Sequence, residues 1–453
     1  MHGLLTDRYA LAMVGAYLRE GIAERRAVFE LSVRRLPPQR RFLLVAGVDR
    51  AVRYLQSLRF AEAEVEYLRR APGLSDVMTE AMVGFLLGFQ FRGDVDVIPE
   101  GEVAFASEPL VRVEGTLAEG QLVETFLLGV INAETRVASK AARVVLAADG
   151  RPVYEFGARR ADPLGAPYAA RAAYIAGCAA SSCEAAGMEF GVPTAGTCAH
   201  SYVLAHVDEG EAMAFEAFSA AFPGGTTLLI DTYDTRRGAL RAAGAGPGVR
   251  AVRIDSGDLE VLARDVRSIL DAAGRSDVQL IASDDLDEHR IAALVRAGAP
   301  YDGFGVGTAI ALTPDAPSLG AIYKLVEVGD RREARVPVGK RSPAKPSYGG
   351  VKQVYRLRHP DGTLREDIVG CADPQAEGSA VLAGEPLLVP MLRRGKLVRD
   401  LPDAHSATVE ARGRALRALA SLPVALRALE EAVGGGHPVS YSTALKALTP
   451  RQE

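Results

Sequence analysis

Apolar positions recur at three- and four-residue steps over residues 10–18 and 48–58, the mark of helices that bury one face. Between them residues 28–33 alternate apolar and polar, as a half-buried strand does. From 94 to 113 the pattern turns to short β-like runs broken by Pro and Gly: Val95-Asp96-Val97-Ile98, Val103-Ala104-Phe105 and Leu110-Val111-Arg112-Val113. The stretch 121–147 is rich in Ala, Leu and Val and nearly free of breakers, which predicts a long helix.

The next region is more regular. Four apolar runs each close on a polar residue or glycine: Leu228-Leu229-Ile230-Asp231, Val252-Arg253-Ile254-Asp255, Leu280-Ile281-Ala282-Ser283 and Phe304-Gly305-Val306-Gly307. They begin at 228, 252, 280 and 304, so successive runs lie 24, 28 and 24 residues apart. Leu259, Leu262, Val266 and Ile269 predict one face of a helix in the second interval, and Ile291, Leu294 and Val295 one in the third. Strand–helix repeats of this length predict a parallel sheet covered by helices. The even spacing favours an α/β fold with a βα barrel, whose working groups sit at the C-terminal strand ends; an open doubly wound sheet is the alternative.

After about residue 328 the order breaks up. Residues 331–350 read as a mobile basic loop, 351–368 as a hairpin around Pro360-Asp361-Gly362, and 407–448 as helical with a break at Gly434-Gly435-Gly436. At 453 residues the chain exceeds one ordinary core. The expected division is an N-terminal α/β domain over 1–125, completed by 335–400, a barrel over 126–330 and a helical segment over 400–453. Lys+Arg of 53 against Asp+Glu of 57 leaves a net charge of −4, so no basic field calls for nucleic acid or an anionic membrane. Cys178, Cys183, Cys198 and Cys371 lack metal-ligand spacing and read as reduced thiols. With no signal-like or membrane-length apolar run, a cytoplasmic protein is expected.

Several residues at these junctions carry chemistry. Asp255-Ser256-Gly257-Asp258 places two carboxylates and a hydroxyl where a strand meets a helix, suited to ribose hydroxyls or to Mg²⁺ carried by a pyrophosphate. Ser256 or Asp258 as a mere helix cap is the plainer reading. Gly303-Phe304-Gly305-Val306-Gly307-Thr308 allows close backbone approach to a phosphate but does not complete a dinucleotide fingerprint. Arg159 and Arg160 follow a tight turn at Phe156-Gly157 and suit a carboxylate, a phosphate or a flat ring, although an Arg pair is more often simply solvated. His200, in Gly196-Thr197-Cys198-Ala199-His200-Ser201, is either a satisfied structural histidine or a base or nucleophile beside a phosphate-handling set.

Together these motifs resemble the nicotinate phosphoribosyltransferase family. The matching stretches are Leu5-Thr6-Asp7-Arg8-Tyr9, 156–160, GVPTAGTCAHSYV at 191–203, DTYD at 231–234, VRIDSGDL at 252–259, 281–287, 304–308, Tyr323-Lys324-Leu325 and VKQVYR at 351–356. The resemblance implies the type II phosphoribosyltransferase fold, an irregular α/β barrel with a discontinuous smaller α/β domain, and a homodimer with shared active sites. It implies that nicotinate, phosphoribosyl pyrophosphate and ATP are the small-molecule partners, with Mg²⁺ brought by the polyphosphates and no protein-held metal. Tyr9 then stacks on the pyridine ring from the partner subunit, with Arg159 on the opposite side and Arg160 beside it. Arg253 and Asp255 match residues at the donor's pyrophosphate and ribose, and Ser283, Asp284, Gly305, Gly307 and Thr308 match the ribose-phosphate site. Asp231 matches an active-site aspartate expected to orient His200, and His200 matches a histidine transiently phosphorylated by ATP.

The chain departs from the family pattern at Ser181-Ser182-Cys183, where members show Thr-Ser-Asn, and at Asp162-Pro163-Leu164-Gly165-Ala166-Pro167. A metal-binding cysteine cluster found near the C-terminus of some relatives is absent. Nicotinamide or quinolinate as acceptor, and a non-catalytic ligand-binding homologue, remain as alternatives. Arg160, part of an FGxRR element, favours nicotinate.

Overall fold

In the computed structural model, which describes residues 3–332, 334–340, 348–429 and 436–448, the four polar-ended runs become parallel strands. They are Thr226–Leu229, Val249–Ile254, Gln279–Ala282 and Gly303–Val306, and two strands that periodicity does not reveal join them, Val153–Glu155 and Ala180–Ser181. Each is too short, at three and two residues, to display a period.

The order across this sheet runs from Ala180–Ser181 through Val153–Glu155, Gly303–Val306, Gln279–Ala282 and Val249–Ile254 to Thr226–Leu229. Every pairing is parallel. Each strand neighbours its sequence neighbour except at the step from Ala180–Ser181 to Thr226–Leu229, and the last strand returns to the first. That is barrel order, whereas a doubly wound sheet reverses direction at a switch point. Leu228, Val252, Leu280, Phe304 and Val306 are fully buried, as both-face coverage requires.

Two strands, Ala180–Ser181 and Thr226–Leu229, end the sheet without pairing to each other. The chain between them fills this seam. Ser181 N donates to Pro193 O and Ala195 N to Ser181 O, each at 2.9 Å. On the far side the Leu229 N–H donates to Cys198 Sγ at 3.3 Å. The barrel is therefore irregular in a specific way: five ladders and one stave of non-repetitive backbone.

The helix Leu259–Ala272 buries Leu259, Ala263, Val266 and Leu270, one step round from the expected stripe, with Leu262 and Ile269 half-buried at its flanks. Ala263 presents little bulk to the sheet, so the face centres there. The helix Glu288–Arg296 buries Ile291 and Leu294 as its pattern predicts.

This barrel belongs to a unit of Val137–Pro317 with Ala404–Arg412; the other unit comprises Met1–Arg136, Ser318–Asp403 and Gly413–Glu453. The larger unit is built on a seven-stranded sheet whose central strands Arg26–Val33 and Pro109–Thr116 pair antiparallel. Its core joins Leu31, Tyr54, Leu55, Val97, Val111, Leu127, Val354 and Leu392. The hairpin expected near 360 is present as Lys352–Arg358 against Leu364–Cys371. The helix Ala404–Ala420, read from sequence as part of a separate tail, is shared between the two units.

The C-terminal stretch is not wholly helical. The strand Val439–Tyr441 adds in parallel to Leu364–Cys371, and Leu445 behind it is fully buried. Its three residues are too few for a period-two signal. Within the basic stretch 331–350, Arg335–Pro337 forms a strand, while residues 333 and 341–347, like Gly434 and Gly435, lie outside the described residues. No helix among the described residues is long and apolar enough to cross a membrane.

Candidate active site

The site residues of the barrel unit collect because each parallel strand releases its chain at the same end. Asp231, Asp255, Ser283 and Gly307 follow Thr226–Leu229, Val249–Ile254, Gln279–Ala282 and Gly303–Val306 in turn. Side-chain bonds tie three of these ends together. Asp231 Oδ2 accepts from Asp255 N at 3.0 Å and from Ser256 Oγ at 2.6 Å. The Ser283 hydroxyl donates to Asp255 Oδ1, and Arg253 Nη1 lies 3.5 Å from the same oxygen. Asp231 Oδ1 and Arg253 Nε are buried without a hydrogen-bond partner. These atoms, on a carboxylate and a guanidinium at the strand ends, have hydrogen-bonding capacity to spare.

Asp231 does not orient His200 as the resemblance implied. Its bonded oxygen is committed to the Asp255–Ser256 turn, and the neighbouring Thr232 reaches the imidazole instead, Oγ1 to Nδ1 at 3.1 Å. His200 opens the helix His200–Ala205, two residues after the Cys198 that anchors the seam. Asp258 takes the plainer of its two readings. Its Oδ1 accepts from Glu260 N and Val261 N, each at 3.1 Å, and so caps the helix Leu259–Ala272.

The glycines at 157, 305 and 307 are required by close packing. A Cβ on Gly305 would stand 2.6 Å from the Phe156 ring, and one on Gly157 2.5 Å from Ala311 Cβ and 2.9 Å from Gly307 O. The first barrel strand, the last, and the turn between Phe156 and Arg160 thus lie backbone on backbone. Thr308 opens the helix Thr308–Leu312 just beyond.

The turn at Phe156 is pinned from below by Glu155, whose carboxylate accepts from the Gly157 N–H and from Ser181 Oγ, the latter at 2.6 Å. Burial pushes the Glu155 carboxyl up, and these two donors partly restore it. Arg159 and Arg160 are exposed on the turn and make no ion pair among the described residues. Asp284, next to Ser283, has a backbone φ of 87°.

Tyr9 stands in the larger unit, on the helix Arg8–Glu20, and is 46% exposed. Its hydroxyl is held to Glu124, and burial of the ring end, then Glu124, raise its pKa. An exposed aromatic face with a tethered hydroxyl has the form of a stacking platform.

Sequence reading missed residues on both units. Thr232 lay inside a quoted motif, DTYD, but only the fold shows its contact with His200. In the larger unit Arg34, Lys324 and Lys352 line one cavity of about 70 Å³ with Tyr348 and Tyr441. Burial, then Arg34, Lys352 and Lys340, lower the Lys324 pKa, the signature of cations crowded on one spot. Glu30 lines the same cavity and pairs with Lys352 at 2.8 Å, so part of this charge is already met. Lys324 and Lys352 lay inside quoted motifs, but they and Arg34 come from three distant stretches, and only the fold brings them together. Among the described residues, no three His, Cys, Asp or Glu side chains gather as a metal site would.

The first part of the chain, residues 4–132, matches the family model described as the nicotinate phosphoribosyltransferase (NAPRTase) N-terminal domain. The nicotinate phosphoribosyltransferase pncB2 of Mycobacterium tuberculosis is 43% identical over 448 residues, 97% of this chain and 91% of that one. The crystal structure of human nicotinic acid phosphoribosyltransferase superposes with a TM-score of 0.82 at 30% identity, covering 98% of this chain and 99% of that one. A nicotinate-nucleotide pyrophosphorylase from Pyrococcus furiosus superposes at 0.73 with 28% identity, over 92% and 95% of the two chains.

Proposed function

The chain belongs to the nicotinate phosphoribosyltransferase family, and on that premise we propose that it joins nicotinate to 5-phosphoribosyl pyrophosphate, driven by ATP, in NAD salvage. The observation that carries this reading is the strand-end circuit of Asp231, Arg253, Asp255 and Ser283, which sits beside glycine backbone and leaves buried polar atoms unassigned. In the reaction the pyridine nitrogen attacks the anomeric carbon as its bond to pyrophosphate breaks, and pyrophosphate leaves with the electron pair. Little proton transfer is needed, so alignment and charge complementarity supply the rate.

Asp255 receives the ribose hydroxyls, and Arg253 the departing pyrophosphate. Ser283, Asp284 and the backbone of Gly305, Gly307 and Thr308 hold the ribose phosphate. Arg159 stacks on the nicotinate ring, Arg160 meets its carboxylate, and Tyr9 from a second copy closes the opposite face of a homodimeric site. Mg²⁺ arrives with the polyphosphates. The two carboxylates at Asp231 and Asp255 fit an ion that keeps most of its ligands as water and phosphate. When bound it neutralises the leaving group.

His200 is the phosphate acceptor from ATP. With Nδ1–H donated to Thr232, Nε2 keeps its lone pair for the γ-phosphorus and ADP departs.

Nucleotide formation from labelled nicotinate, phosphoribosyl pyrophosphate and Mg²⁺, with and without ATP and with nicotinamide and quinolinate in parallel, tests the reading. Nicotinate mononucleotide that rises with ATP is expected, together with an acid-labile label from γ-labelled ATP that His200→Ala abolishes. Product from another acceptor alone overturns the substrate. Product from none returns the chain to a binding role.

A further inference from the structure

Ser283 is locked to the neighbouring strand through Ile254 O and Asp255, and the chain must then turn sharply before the cap of the helix Glu288–Arg296. It does so through two consecutive non-glycine residues at positive φ, Asp284 at 87° and Asp285 at 41°. Aspartate tolerates that region better than most side chains, yet two in succession are a conformation the chain leaves unless something holds it.

One side chain holds it. Arg290 Nη1 donates to Asp284 O at 2.6 Å and to Asp285 O at 3.4 Å, and Nη2 donates to Asp284 Oδ2 at 3.2 Å. Arg290 is itself placed by the helix cap, its N–H donating to Asp287 Oδ1 at 2.8 Å. The planar fork therefore spans both carbonyls of the strained turn and one oxygen of the Asp284 carboxylate. The second oxygen, Oδ1, has no partner among the described residues.

We propose that Arg290 is a positioning residue for the phosphoribosyl donor: it holds the Asp284–Asp285 turn in its left-handed form, so that Asp284 meets the sugar-phosphate already ordered. This rests on the assignment of Asp284 to the donor site made above. The fork touches backbone, so its loss acts on donor affinity through the turn and leaves the acceptor side alone.

The test combines steady-state kinetics with calorimetric titration of phosphoribosyl pyrophosphate and Mg²⁺ into the full-length protein. Arg290→Ala is expected to weaken donor binding and raise the donor KM by about tenfold, while the nicotinate KM stays within about twofold. Arg290→Lys recovers part of the loss, since an ammonium reaches one acceptor where the fork reaches three. Asp285→Gly removes one of the two steric reasons for the turn to relax. Alone it leaves donor affinity near wild type, and in the Arg290→Ala background it restores part of the loss. Wild-type donor affinity in Arg290→Ala overturns the proposal, as does a loss that Asp285→Gly fails to relieve. Donor binding without turnover in the wild-type protein would instead count against the reaction proposed above, and the calorimetric comparison would still decide the role of Arg290.

Discussion

Two charged clusters of the barrel unit use the same residue types to opposite ends. The side chains of Lys140, Arg143, Glu288 and Asp315 are no more than 8% exposed, and two cations face two carboxylates. At the strand ends Asp231 and Asp255, joined through the Asp255 N–H, have one cation beside them, Arg253. The first cluster is balanced and sealed. The second carries surplus negative charge, ordered by backbone bonds and open to solvent. A surplus of oriented carboxylates costs stability in the free protein and is repaid when hydroxyls or a cation arrive. Charge balance thus separates a structural polar cluster from a chemical one here, where composition alone does not.

The widest separation is expected from Asp255→Ala. Turnover should fall by about a thousandfold while the melting temperature moves little, read by initial rates and a thermal melt on the same preparation. Loss of fold together with activity would place Asp255 with the sealed cluster. Glu288→Gln should do the reverse, lowering stability by about 3 kcal/mol in urea unfolding, because it leaves Arg143 buried without its counter-charge and Lys140 with Asp315 alone.

That cluster also carries a pH signature. Burial alone would raise the Glu288 carboxyl, but Lys140 and Arg143 outweigh it and hold its pKa below the ordinary range. A depressed acid contributes stability above its unfolded pKa of about 4, and this is lost as pH falls through the lowered value. Melting temperature should therefore fall on the acid side in the wild type and less steeply in Glu288→Gln. Identical acid limbs would assign that loss to other carboxylates. The smallest effect is expected from Asp258→Ala, about 1 kcal/mol of cap stability with turnover within about threefold. A larger loss of turnover would return Asp258 to the chemical cluster.

How far the sequence exposed this site follows from where each group's partners lie. An apolar run closing on Asp255 or Ser283 is local, and the barrel turns that local pattern into a shared rim, so the rim was legible before any coordinates. Thr232 and Arg290 act through contacts set by how one strand end faces the next, and nothing in their neighbours' identity marks them. Arg34, Lys324 and Lys352 are further apart still and meet only through the seven-stranded sheet. The same logic explains the assignment of His200 to Asp231. Adjacent residues Asp231 and Thr232 were both within motif reach, and only side-chain direction chose between them. It also explains the two unread strands and the strand at 439–441, where two or three residues cannot show a period but a neighbouring ladder can still recruit them.

The seam between Ala180–Ser181 and Thr226–Leu229 has a consequence for how this enzyme tolerates change. A residue in a ladder is held by neighbours on both sides, and altering it disturbs the whole wall. The stave at 191–200 is held by two amide bonds at one edge and, at the other, by the Cys198 sulfur contact and the bond between His200 and Thr232. Mutation there shifts where His200 stands while the barrel keeps its shape. The step proposed for His200 can therefore change across generations independently of the fold, because its stave is fastened to the wall and not woven into it.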